Sequence, residues 1–266
     1  MREAVRHGMR CRGRRSVATR ATAANGSGEA LRRVLVLEGA NSRTGCTVVK
    51  MLNQRADVDV SATISGGAAG TSELADLGIP TYAHDDASPD AILEKARPNV
   101  VVSCISPTLV QGSRSTHMKN GSFIDAAKSM GGLDRFVLLS SIGAGSSECA
   151  LPGPAKDVMK PLLAENHAAE AYLEDSGLDH VVLRLAPGNN EAGDDVVGSP
   201  VLTESPMAYG WITCGGVASL VVQCMASDRV LGGTFSCVDS STIFVTNPFL
   251  RPLEFHEPLP FEIFSL

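Results

Sequence analysis

The chain has 266 residues, 44% of them hydrophobic and 20% charged, a globular balance that excludes wholesale disorder and collagen-like repeats. No apolar run approaches the ~18 residues of a membrane-spanning helix; the longest, Val217–Ala226, is interrupted by Ser219 and Gln223. The seven cysteines are odd in number and scattered, with no CxxC and no Cys/His cluster, which argues against a structural zinc site and a disulfide framework, so no metal is expected.

The net charge of −6 is unevenly spread. Residues 1–28 hold seven arginines and one acid, Glu3, leaving 16 basic and 28 acidic residues in the remainder. An arginine-rich, serine-containing, acid-poor N-terminus has the composition of an organelle transit peptide, and the stretch from Arg14 to Ala21 resembles those of plastids. The expected location is therefore the chloroplast, with the mitochondrion second. A basic arm for nucleic acid and a plain disordered tail are the rival readings. The acidic remainder repels phosphates, so neither a nucleic-acid partner nor an anionic membrane surface is expected.

From residue 30 onward, short apolar runs alternate with amphipathic stretches. The pattern predicts a strand at Arg33–Glu38, a helix at Thr44–Gln54, a strand at Val58–Ile64, a short helix at Ser72–Leu77 and a short strand at Pro80–Ala83. A helix follows at Pro89–Ala96 with Ser88 as N-cap, then a strand at Asn99–Cys104 and a helix at His117–Met130. A strand at Arg135–Ser140, a helix at Pro161–Ser176 and a strand at His180–Leu185 complete the series. Strands that are continuous apolar runs, alternating with helices, imply a doubly wound parallel α/β sheet covered on both faces. One domain over 31–246 with a minimal substrate lobe is expected, between the N-terminal segment and a tail at 247–266.

The first strand runs into Gly39-Ala-Asn41-Ser42-Arg43-Thr44-Gly45, and a helix follows. Glycines at the two ends of this loop suit a tight turn and close helix–strand packing. The helix N-terminus beside them offers N–H groups and a positive dipole end to a diphosphate. A plain strand-to-helix turn is the alternative.

On these residues the chain resembles the NmrA-like group of atypical short-chain dehydrogenases/reductases over residues 33–188. The group's first turn reads G-A-T-G-x-T-G, and Ser42 here replaces its middle glycine. The segments Gly121-Ser-Phe-Ile-Asp-Ala-Ala-Lys128 and Arg135-Phe-Val-Leu-Leu-Ser-Ser-Ile-Gly143 are similar to its fourth helix and fifth strand. Glu170-Ala-Tyr-Leu-Glu-Asp-Ser-Gly-Leu-Asp179 resembles its next helix, and Ile212–Asp239 its late helix and strand. The resemblance implies a Rossmann fold that binds NADP, with NAD as the alternative. The second strand ends at Ser65 with no acid to repel a 2′-phosphate, and Arg43 stands where the group often places a base against that phosphate. The resemblance further implies that Asp85 faces the adenine, and that Ser103 and Ile105 line the adenosine and diphosphate.

The superfamily's Tyr-x-x-x-Lys pair is missing. Tyr82, Tyr172 and Tyr209 are followed at that spacing by Asp86, Ser176 and Thr213. Aligning Glu170 with the group's glutamate puts Leu162 and Asn166 at the Tyr and Lys positions. The catalytic serine is kept as Ser140 or Ser141. His167 and Lys160 are candidate substitutes, and Pro187, displaced in its loop, is expected near the nicotinamide. Members of the group without the pair either reduce substrates with water or substrate giving the proton, or bind cofactor without turnover.

Two functions therefore compete. One is an organellar NADP-dependent oxidoreductase on a small organic substrate, held in a cleft formed by residues 141–165 and 188–212. The other is a non-catalytic redox-sensing or assembly module. In the tail, Pro248, Pro252, Pro258 and Pro260 prohibit a long helix, and phenylalanines at 249, 255, 261 and 264 suit an extended strip on the domain or a docking segment for a protein partner. Tyr209 and Trp211 are read as core, with cleft lining as the alternative.

Overall fold

The computed structural model describes residues 31–66, 70–84, 87–106, 116–151, 153–186 and 196–245. The expected transit segment, Asp85, Pro187 and the Pro/Phe-rich tail lie outside these residues.

Six strands alternate with helices. They are β1 (Arg32–Leu37), α1 (Arg43–Asn53), β2 (Val58–Ile64), α2 (Thr71–Asp76), β3 (Thr81–Ala83), α3 (Pro89–Ala96), β4 (Val100–Ser103), α4 (Thr116–Met130), β5 (Arg135–Ser141), α5 (Gly153–Asp175) and β6 (His180–Leu185). After them come β7 (Pro200–Thr203), β8 (Ala208–Tyr209), α6 (Cys214–Ala226), β9 (Gly233–Asp239) and β10 (Phe244–Val245). The main sheet has eight strands in the order β3-β2-β1-β4-β5-β6-β9-β7. It is a Rossmann-like α/β fold, parallel up to β9, with β7 added antiparallel at the edge. β8 and β10 form a separate antiparallel pair.

Alternation along each strand sends side chains to opposite faces, so a strand buried on both reads as one unbroken apolar run. Val34 and Val36 join a core with α1 and α6, whereas Leu35 and Leu37 join another with α3, α4 and α5. Phe136 and Leu138 face the second core, Val137 and Leu139 the first. A third cluster, including Ile142, Leu151, Leu163, Tyr209 and Val238, packs around the end of β5.

The bounds of β2, α3 and β6 are those expected, and Ser88 caps α3 by accepting from Ala91 N at 3.3 Å. α5 differs. It begins at Gly153 rather than Pro161 and carries that proline inside. A proline is easiest to place at a helix start because its ring blocks the preceding turn, and here the helix accommodates it. The strands β7, β8 and β10 were not expected, being short and at edges, where the apolar signal is thin.

Tyr209 is buried in the third cluster while Trp211 is 41% exposed, the two rings meeting edge-on at 5.5 Å. The described cysteines form no disulfide with one another. Burial raises the Cys104 and Cys224 thiols to about 12. No helix among the described residues is long and apolar enough to cross a membrane.

Candidate functional site

The strand order reverses between β1 and β4, which open a crevice at their carboxyl ends where α/β folds take ligands. The turn from Glu38 to Gly45 forms one wall. Both glycines are sterically required. A Cβ on Gly45 would stand 2.9 Å from Gly39 O and 3.0 Å from Glu38 O. A Cβ on Gly39 would meet Val49 Cγ2 at 2.8 Å and Ala62 Cβ at 3.0 Å. Gly70, which sequence reasoning missed, closes against the same turn, since a Cβ there would stand 2.5 Å from Cys46 Sγ.

Ser42, in the middle-glycine position, has extended backbone and caps α1, its hydroxyl accepting from Gly45 N at 3.0 Å. One helix-terminal N–H is thus satisfied internally, while the Ser42 hydroxyl proton remains a donor. The Thr44 N–H, in the first turn of α1, has no intrahelical acceptor to donate to, and Thr44 Oγ1 lies 3.5 Å from Cys214 Sγ at the start of α6. Arg43 is exposed.

Asn41 ties the turn to the end of β2. Its amide donates to Ser65 O at 2.7 Å and Ser65 Oγ at 3.0 Å, and its Oδ1 accepts from Ser65 N at 3.1 Å. The two residues expected at the cofactor therefore brace each other. Ser103 and Ile105 are buried. The Ser103 hydroxyl donates to Asn120 Oδ1 at 2.6 Å, closing the end of β4 onto α4.

Sequence reasoning also missed Glu38. It has a left-handed backbone (φ 51°) and is only 8% exposed. A non-glycine residue in that region costs on the order of 1–3 kcal/mol and persists only where its surroundings impose it. Thr63 Oγ1 accepts its N–H at 2.8 Å. Its Oε1 receives Lys119 Nζ at 3.1 Å and Ser65 Oγ at 3.3 Å. The only earlier signal was an acid directly before Gly39; its partner lies 81 positions away on α4.

At the end of β5 the adjacent serines diverge. Ser140 is buried and donates to Glu170 Oε1 at 2.5 Å. Glu170 is in turn gripped by Arg184, Nε to Oε1 at 3.0 Å and Nη2 to Oε2 at 2.7 Å, and Arg184 Nη1 donates to Ser146 Oγ at 2.8 Å. Ser141 is half-buried and accepts from the Asn166 amide at 2.9 Å. Asn166, at the expected lysine position, is itself buried. His167 is 60% exposed on its side chain, with Nδ1 3.8 Å from Glu170 Oε2. It lines a cavity of about 400 Å³ with Gly143, Ser146, Lys156 and Lys160. A larger cavity of about 530 Å³ lies by the amino ends of the central strands β1, β4 and β5, among Arg33, Leu93, Arg97 and Met130, away from the turn.

The sequence model of a family described as NAD(P)H-binding matches residues 39–228, from the first turn through α6. The chain belongs to that NAD(P)H-binding family. Solved structures share the fold. ChuY, an anaerobillin reductase from Escherichia coli O157:H7, is 18% identical, with a TM-score of 0.59 over 83% of this chain and 99% of its own. A short-chain dehydrogenase/reductase from Veillonella parvula is 12% identical, with a TM-score of 0.59 over 82% and 100%. The Bordetella bronchiseptica enzyme WbmH, solved with NAD+, is 16% identical, with a TM-score of 0.57 over 80% and 77%. No curated protein matches the chain. The residues present fit the cofactor of the NAD(P)H-binding family: the turn admits no Cβ at 39 or 45, and the Thr44 N–H and Ser42 hydroxyl supply donors at the positive end of α1.

Proposed function

We propose that the chain is an organellar NAD(P)H-dependent reductase of a small organic substrate, with Ser141 receiving the substrate oxygen. The observation that carries this reading is the 2.9 Å hydrogen bond from the Asn166 amide to Ser141 Oγ. That bond fills an acceptor site and leaves the serine O–H to donate. A fixed donor there stabilises the negative charge that grows on a carbonyl oxygen during reduction. When bound, NAD(P)H supplies the hydride. Ser141 holds the oxygen, Asn166 fixes the hydroxyl, and water delivers the proton, because Leu162 at the tyrosine position has none to give. The anaerobillin reductase of similar fold supports the reductase class. Arg43 supports NADPH as cofactor, and Glu38 supports NADH.

The replacement of the Tyr/Lys pair by Leu162 and Asn166 favours a second reading, a dinucleotide-binding sensor or assembly module that engages a protein partner through its tail. Fluorescence titration of the full chain with NADH and NADPH, then stopped-flow mixing of the complex with quinones, aldehydes and a flavin, separates the two. Oxidation by one acceptor, slowed about 10²-fold in Ser141→Ala, supports the reductase. Binding without oxidation supports the module, and no binding removes both. The arginine-rich residues 1–28 support a plastid location, which a fluorescent fusion of that segment tests.

A further inference from the structure

We propose that Glu38 selects the adenosine ribose of the dinucleotide and turns the chain toward NAD(H) against NADP(H), a role that rests on the dinucleotide-binding reading of this site. In dinucleotide folds the selecting acid stands at the end of the second strand. Here that place is Ser65, and the carboxylate comes from the end of the first strand instead.

Four observations converge on Glu38. Its side chain sits over the reversal of strand order, with Ser65 of the β2 end on one side and Lys119 of α4 on the other. Only Oε1 is used, by Lys119 Nζ at 3.1 Å and Ser65 Oγ at 3.3 Å. Oε2 accepts no hydrogen bond from a described residue, yet it is not sealed in the interior, since the buried unpartnered side-chain atoms among the described residues are Arg135 Nε and His180 Nε2. The backbone is held left-handed at φ 51° with its N–H on Thr63, which fixes where the side chain leaves the turn.

A nine-tenths buried carboxylate whose second oxygen is unused by the described residues is an acceptor for a vicinal diol. It repels a 2′-phosphate, and low local dielectric strengthens that repulsion. Lys119 is already engaged at 3.1 Å, with 22% of its side chain exposed, and supplies the countercharge that a buried carboxylate requires. Arg43 is exposed, so its attraction for a 2′-phosphate is screened by solvent and salt. The less hydrated group decides.

The test is equilibrium binding by the full chain, read by nucleotide fluorescence, with ADP, 2′-deoxy-ADP and adenosine 2′,5′-bisphosphate as competitors. The expected result is NADH bound at least ~10-fold more tightly than NADPH, with 2′-deoxy-ADP weaker than ADP and the bisphosphate weakest. In Glu38→Gln, NADH weakens about 10-fold and the preference narrows to about 3-fold or less. A wild-type preference for NADPH, equal competition by ADP and 2′-deoxy-ADP, or an unchanged preference in Glu38→Gln would each overturn the role of Glu38 while leaving dinucleotide binding intact. Absence of binding to either cofactor would overturn that underlying reading and this one together. Should Glu38→Gln fail to fold, the competitor series on the wild-type chain decides alone.

Discussion

Replacing Glu170 with glutamine probes the most buried charge among the described residues. Glu170 is 1% exposed and Arg184 6%, joined by two parallel hydrogen bonds of 3.0 and 2.7 Å. Glutamine keeps the shape but turns one acceptor into an NH₂ that faces a guanidinium or the Ser140 hydroxyl, and it leaves the arginine charge uncompensated. Breaking one side of a buried pair costs about 3–5 kcal/mol. For a domain of this size that lowers the melting temperature by roughly 6–20 °C. Removing both charges as Glu170→Leu/Arg184→Met leaves no stranded ion, so the double variant should lose less than the glutamine variant alone. Urea unfolding of the wild type, both single variants and the double variant, followed by far-UV circular dichroism, gives the coupling directly. A loss below about 1 kcal/mol in Glu170→Gln, or a double variant as unstable as the sum of its singles, would refute the argument that the pair is buried and coupled.

Two glycines should respond oppositely to alanine. Gly45→Ala forces a Cβ within 2.9 Å of Gly39 O, so it should abolish dinucleotide binding and lower stability by about 1–3 kcal/mol in the same urea assay. Gly121→Ala in α4 puts its Cβ in ordinary contact with the Tyr172 ring, nearest at Cε1, 3.4 Å, and should leave binding unchanged while stabilising by about 0.5–1 kcal/mol. Asp239 gives an acid-limb prediction. Burial raises its carboxyl, but the Ser241 hydroxyl and the Ser199 and Ser241 N–H groups outweigh that and hold it below its ordinary 3.8. Its stabilisation is therefore complete above about pH 4 and is lost as pH falls through the lower folded value. Asp239→Asn should cost about 1–2 kcal/mol at pH 7, with the gap to wild type closing as pH falls below the ordinary 3.8 when unfolding is measured across pH.

Reading the sequence works where one physical signal is local. The alternating apolar pattern at Val58–Ile64 and the Ser88-Pro89 start of α3 have a single cause each, and both elements fall where expected. Gly39 and Gly45 were legible because only a missing Cβ allows backbone to approach so closely. What was not legible is pairing across the chain. Nothing local says that Lys119 crosses to Glu38, that Asn41 spends its amide on Ser65, or that Ser140 belongs to Glu170 while its neighbour belongs to Asn166. The end of β2 carries no acid, yet the fold brings the Glu38 carboxylate within 3.3 Å of the Ser65 hydroxyl that follows it.

That distribution of partners bears on how a reduction would take its proton. A conventional short-chain dehydrogenase/reductase has a tyrosine that passes a proton to the substrate oxygen and a lysine that lowers the tyrosine pKa, and its rate follows that ionisation. Here the hydrogen-bond partner of Ser141 is an uncharged amide, and the nearest carboxylate network, at Glu170, is saturated by Ser140 and Arg184. A hydride step that relies on Ser141 and Asn166 has no titrating group in contact with it. Single-turnover oxidation of the bound cofactor should therefore run at one rate from about pH 6 to pH 9, in contrast to the sloping profile of a Tyr/Lys enzyme. His167 is the discriminating variant, being exposed and 3.8 Å from Glu170 rather than bonded to Ser141. A step in the profile that disappears in His167→Gln would put the histidine in the chemistry and remove the case for water as the proton source.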